Sequence, residues 1–210
     1  MKKKKQSDKE QVVKEIIKAA RLYKQHLVGK TFLYVFDGRF IEVIYKTQNF
    51  RHLTGVDTAL SAKRFYQNAV NGTLQANQIW FGPAHPYQLC LRKLKHLCSV
   101  STLAETECFI LENITTDSRS YQFGTTDLNF TLCMNKEQDE QGRDTGDCFV
   151  AQSLRDEDCF SKSEGVYIVT HILSKRNDSK KYAEVLYMAA SAALADLPPE
   201  VIRRAEQPLC

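Results

Sequence analysis

Long apolar runs are missing from this chain of 210 residues. A spanning helix needs about 18 consecutive apolar residues, and the longest small-residue run, Tyr187 to Ala195, is half that, so no membrane segment is predicted. The basic start, Met1 to Lys5, leads into a charged helix rather than an apolar stretch with a small-residue cleavage site, so export by a secretory signal is not expected. Cysteines are few and scattered: Cys90, Cys98, Cys108, Cys133, Cys148, Cys159 and Cys210 lack the close pairs of a zinc site and the density of a disulfide scaffold. Reduced thiols, a cytoplasmic location and no metal cofactor are the expectation. A Gly-rich phosphate loop, a nucleophile elbow and a paired His-Glu zinc helix are also absent, so none of these motifs names an activity. The polar interval Asn135 to Asp147, with Gly142 and Gly146, lacks the oxygen spacing of a calcium loop and reads as a long exposed loop.

What is present suffices for one core. With 43% hydrophobic residues, the chain is expected to form a single α+β domain over 1–210, with a basic flexible tail at 1–7 and a C-terminal appendage at 196–210. The net charge of +4 is unevenly spread: residues 1–30 carry ten Lys/Arg and three Asp/Glu, summing to +7 and leaving −3 for the rest. Such a patch can attract a phosphate backbone, and it also describes an ordinary solvated helix face.

Ser7 with Glu10 reads as a capping box, and Val12, Val13, Ile16, Ile17, Ala20, Tyr23 and Leu27 recur at helical spacing up to Gly29, predicting a helix over 8–28. Thr31 to Phe36 and Arg39 to Tyr45 are β-branched and aromatic runs joined at Asp37-Gly38, a dipeptide suited to a tight hairpin turn. A polar connection, Asn49 to Asp57, precedes a short helix capped by Ser61 and broken at Asn71-Gly72, and another helix is predicted over Tyr87 to Leu97. Beyond residue 105, Cys108–Ile114, Leu128–Met134, Cys148–Leu154 and Val166–Leu173 read as strands. Lys180 to Ala195 reads as an alanine-rich helix, and Pro198-Pro199 opens a last short one at Glu200. The expected architecture is an N-terminal helix packed by its Val12, Ile16, Tyr23 stripe on a mostly antiparallel sheet of about six strands, followed by C-terminal helices.

One segment concentrates functional groups. Lys46-Thr47-Gln48-Asn49-Phe50-Arg51-His52-Leu53-Thr54-Gly55-Val56 packs two cations, one imidazole and several hydroxyl or amide groups into eleven residues. A histidine moves protons near neutrality and a neighbouring cation stabilises a phosphate oxyanion, which together are parts of a metal-independent ribonuclease. The plainer alternative is that Phe50, Leu53 and Val56 dock the loop while His52 bonds a carbonyl. Downstream, Ser61 at a helix start with Lys63 and Arg64 offers exposed amides and positive charge, either an anion site or an ordinary capped helix. Tyr66 fits packing or binding. His171, on a strand with apolar residues on both faces, is either a core histidine or a second acid or base. His26 and His96 read as solvated surface, and His85, between Ala84 and Pro86, is assigned no role.

The block Phe32 to Phe40, Tyr45 to Val56 with its Asn49-Phe50-Arg51-His52-Leu53-Thr54-Gly55 core, and Leu60-Ser61-Ala62-Lys63-Arg64-Phe65-Tyr66 resembles the phage-associated branch of the barnase, EndoU, colicin and RelE-like nucleases. The likeness is clearest over 22–80 and weaker to about 175. It implies a helix-then-antiparallel-sheet fold, membership of bacterial mobile elements, and RNA cleavage without metal. It places His52 as the proton-transfer group, Arg51 and Lys46 as phosphate ligands and Thr54 as a hydrogen-bond donor; Ser61, Lys63, Arg64, Tyr66 and His171 are the further candidates for holding the substrate. RNA is then the partner, with an antitoxin or immunity protein as a second. The competing class is a non-catalytic module that uses the basic N-terminal helix and the Arg92 to His96 face to hold RNA, DNA or a protein.

Overall fold

The computed structural model describes residues 2–209, in two compact units whose chain segments alternate. The first comprises the segment up to Val28 together with Lys46–Ser101; the second comprises Gly29–Tyr45 together with the chain from Thr102 onward. Met1 of the expected basic tail and Cys210 lie outside the described residues.

The first unit is helical: α1 (Lys2–His26), α2 (Phe50–Thr54), α3 (Ala62–Asn71) and α4 (Tyr87–Leu97). The helix predicted over 8–28 thus begins earlier, and Ser7 lies inside it rather than capping it. Lysine is a good helix former, so the run before Ser7 propagates the helix. The apolar stripe is as expected: Val12, Val13, Ile16, Ala20, Tyr23 and Leu27 are buried. Within its own unit α1 packs on α3 and α4, and its Tyr23 ring lies 5.2 Å from that of Phe50 and 6.1 Å from that of Tyr66. α3 has the boundaries its residues dictate: Ser61 Oγ accepts from the Arg64 amide at 3.3 Å, and Gly72 closes the helix at φ 74°.

The second unit holds β1 (Lys30–Phe36), β2 (Arg39–Ile44), β3 (Phe109–Thr115), β4 (Ser120–Thr126), β5 (Thr131–Gln138), β6 (Asp144–Arg155), β7 (Gly165–Arg176), β8 (Glu184–Met188) and the short α5 (Pro199–Arg204). The strands run β1-β2-β6-β5-β4-β3-β7, and β7 returns to β1, closing a seven-stranded barrel; β8 pairs on β7. All pairings are antiparallel except β2 with β6. Asp37 and Gly38 take φ 49° and 69°, the left-handed pair that a two-residue hairpin turn requires. Rings cross the barrel interior: Phe36 of β1 meets Phe123 of β4 at 6.1 Å, and Phe123 meets Phe149 of β6 at 4.8 Å. On the other face of β1, Leu33 and Val35 pack with Leu173, Tyr182 and, from α5, Val201.

This overturns the open sheet of about six strands with helices laid on it. The sheet has eight strands and seven of them close, because β1 finds partners on both edges and β2 reaches β6 by a parallel contact, Val43↔Phe149 and Ile44↔Val150. Ser120 to Thr126 is a strand the residue pattern did not mark. Its Gly124 is closely packed: a Cβ there would stand 2.6 Å from Ile114 Cδ1 and 2.8 Å from Thr131 Cγ2, so those side chains would have to move. The helix predicted over Lys180 to Ala195 is instead β8 followed by a 3-10 turn at Leu194–Asp196, since the open edge of β7 offers ladder hydrogen bonds that outweigh alanine's helix preference. The expected loop Asn135 to Asp147 is mostly strand, with β5 and β6 turning at residues 139–143.

Candidate functional site

The segment from Lys46 onward docks and presents at once. It coils as a 3-10 turn at Thr47–Asn49 and then as α2. Phe50, Leu53 and Thr54 point inward with no exposed surface, whereas His52 is exposed and Arg51 half-exposed. On an extended backbone adjacent residues face opposite ways; on a helix they diverge by about 100°, so Arg51 and His52 share an outward side. The His52 carbonyl accepts from Lys93 Nζ at 3.0 Å, and the Lys46 carbonyl accepts from the Tyr23 hydroxyl at 3.3 Å. The Thr54 hydroxyl donates to the Arg51 carbonyl at 2.7 Å, so it fastens the end of α2. Gly55 closes the helix at φ 70°.

Beside the start of α3 lies an open cavity of about 640 Å³. Four side chains singled out from the sequence line it, Ser61, Lys63, Arg64 and Tyr66, and α1 adds Lys24, which the sequence did not single out; Gln67, Asn68 and Asn71 contribute amides. Three cations and no carboxylate line this space, and the α3 N-terminus adds the positive end of its dipole. Lys63 and Arg64 are exposed. Tyr66 is buried against Phe50, ring centroids 5.4 Å apart, and its hydroxyl has no hydrogen-bond partner among the described residues; burial pushes it up to about 12.

His171 stands in the barrel unit, on β7, fully buried. Its Nε2 donates to the Ala193 carbonyl at 3.1 Å and its Nδ1 lies 3.1 Å from the Thr170 hydroxyl, while burial holds the ring below the ordinary histidine value. His96, read as surface from the sequence, is buried, and so is Lys93. The basic face expected at Arg92 to His96 therefore reduces to Arg92 and Lys95, because the apolar period of α4 places positions 93 and 96 inside.

One arrangement escaped the sequence. His85 Nδ1 lies 2.6 Å from Asp57 Oδ1, and the Gly82 amide donates to Asp57 Oδ2 at 3.0 Å. Twenty-eight residues separate Asp57 and His85, so no local spacing shows the pair; only the Gly82-Pro83-Ala84-His85-Pro86 stretch hints at a fixed loop. Among the described residues, no group of three or more His, Cys, Asp or Glu is placed to hold a metal ion, and no helix is long and apolar enough to cross a membrane.

Residues 15–189 match the family described as PBECR4, phage-Barnase-EndoU-ColicinE5/D-RelE like nuclease4. No curated protein and no solved structure matches the chain.

Proposed function

Because the chain belongs to the PBECR4 family of phage-associated nuclease-like proteins, we propose that it is an endoribonuclease that cleaves RNA without a metal ion. The observation that carries this reading is the cavity at the start of α3, where Lys24, Lys63 and Arg64 converge with no carboxylate among them, a lining suited to a phosphate backbone. Exposed His52 takes the proton from a ribose 2′-hydroxyl, and O2′ attacks the adjacent phosphorus. Arg51 and Lys46 offset the added charge on the phosphoryl oxygens, and the 5′-oxygen departs with a proton. The products are a 2′,3′-cyclic phosphate and a 5′-hydroxyl end. Thr54 and His171 have no part in this scheme, since both are fully buried with their polar atoms engaged. The phage association of the family favours an effector or toxin role, for which an antitoxin or immunity protein would be the partner.

The test is cleavage of total cellular RNA by the purified protein in excess chelator, with the product ends identified. Wild type should leave cyclic phosphates, and His52→Ala should slow cleavage by about 10²-fold or more. Intact RNA with wild type, or an unslowed His52→Ala, overturns the reading.

A further inference from the structure

The reaction above needs a group that gives a proton to the departing 5′-oxygen, and the Asp57–His85 pair has the construction for it. Asp57 is fixed from three sides. Its backbone forms a two-bond antiparallel bridge with Trp80, N to O 3.0 Å in each direction; Oδ2 accepts from the Gly82 amide; Oδ1 meets His85 Nδ1 at 2.6 Å. With Nδ1 committed to the carboxylate, the ring is held in one orientation and Nε2 becomes the working nitrogen, which has no partner among the described residues. The His85 side chain is 38% exposed, so that nitrogen is open to a ligand.

Two more features tie the pair to a nucleotide. Residues opposite each other in an antiparallel bridge project side chains to the same side, about 5 Å apart at Cβ, so Trp80 and Asp57 leave the backbone on one side. Trp80 is the sole tryptophan of the chain and 45% exposed, a flat apolar surface on which a base can stack. Glycine at 82 suits this approach, because a Cβ there would stand 2.7 Å from Asp57 Oδ2 and the carboxylate would have to shift. The segments that carry His52 and His85 both adjoin α4. α2 closes at Gly55 against Cys90, and His85 leads into Tyr87, about 4.5 Å of helix rise away.

We propose that His85, oriented by Asp57, is the general acid of RNA cleavage and that Trp80 stacks the base on the leaving-group side; the inference rests on the ribonuclease reading. As the bond from O2′ to phosphorus forms and the bond from phosphorus to O5′ breaks, Nε2–H of the His85 imidazolium passes its proton to O5′. The ring is left neutral, and the proton of the 2′-hydroxyl resides on His52. The bond between Nδ1 and Asp57 Oδ1 holds the ring so that Nε2 is the nitrogen that donates.

The experiment uses the full chain in chelator with two versions of one cleaved RNA, natural and with sulfur replacing the 5′-bridging oxygen at the scissile bond. A thiolate leaves without a proton. His85→Gln should slow cleavage of the natural RNA by about 10²-fold and cleave the sulfur-bridged RNA within a few fold of wild type. His52→Ala should slow both, and Trp80→Leu should raise KM by about tenfold with little change in kcat. His85→Gln cutting natural RNA at the wild-type rate, or losing both substrates equally, overturns the acid assignment while the ribonuclease reading stands. An unchanged KM in Trp80→Leu removes the stacking role. A wild type that cuts neither RNA overturns both the reading and this inference.

Discussion

Arg39 and Glu112 join strands that are not neighbours. Arg39 of β2 donates to both carboxylate oxygens of Glu112 of β3, at 3.0 and 2.7 Å, across the intervening β1 and β7. The guanidinium lies 4.6 Å from the Tyr167 ring centroid and 5.0 Å from that of Phe36, so charge pairing and ring contact hold one end of the barrel.

The pair gives the barrel an acid dependence. Hydrogen bonds from Arg39 hold the Glu112 carboxyl below its ordinary value. A depressed carboxyl contributes stability above the unfolded value, about 4.3, and loses it as pH falls through the lower folded one. Arg39→Ala should therefore lower the urea midpoint clearly at pH 7 and only slightly near pH 3, as measured by near-ultraviolet circular dichroism. An equal shift at both values would show that ring contact alone matters.

His171 acts over a different range. Burial lowers its folded value below 6.5, so the unfolded chain takes up a proton first as pH falls. The folded state is favoured above the unfolded value and loses ground as pH drops from about 6.5 through the folded one. His171→Gln keeps a donor for the Ala193 carbonyl but cannot titrate. Urea midpoints between pH 7 and pH 5 should fall less steeply in this variant than in wild type.

Gly55 links the exposed histidine of α2 to α4. Its φ is 70°, and a Cβ would stand 3.0 Å from Lys93 Cδ and 3.4 Å from Cys90 Cα. Gly55→Ala should cost about 1–2 kcal/mol from the left-handed backbone alone, and the crowding at Lys93 should disturb its bond to the His52 carbonyl. The expected outcome is a lower thermal midpoint together with RNA cleavage reduced beyond what the unfolded fraction explains. Full stability in this variant would count against the geometry.

Features specified by a few adjacent residues were readable without coordinates. Asp37-Gly38 forms its turn by local backbone chemistry, and Ser61 and Gly72 bound α3 because a hydroxyl cap and a left-handed glycine act over one turn. The cluster of Ser61, Lys63, Arg64 and Tyr66 was legible for the same reason, one helix carrying all four. Barrel closure was not. It depends on Val43 and Ile44 meeting Phe149 and Val150, more than a hundred residues away, a match with no local signature. Lys24 joins the cavity from another helix, and the bond from His85 to Asp57 spans a loop, so neither shows in spacing.

The alternation of segments between the two units sets an order on the ribosome. When Ser101 has been added, every residue of the helical unit has been made, yet the β1–β2 hairpin, already synthesised, still lacks β6 and β7. The 75 residues from Thr102 to Arg176 must follow, roughly 4–15 s at ordinary elongation rates. Until β6 ends at Arg155 both edges of this hairpin, which carries Phe32, Leu33, Tyr34, Val35 and Phe36, lack their partners, and the β1 edge still lacks β7 up to Arg176. This hairpin is thus the part of the nascent chain that a holding chaperone has most reason to cover, and the first place where two crowded chains would pair wrongly.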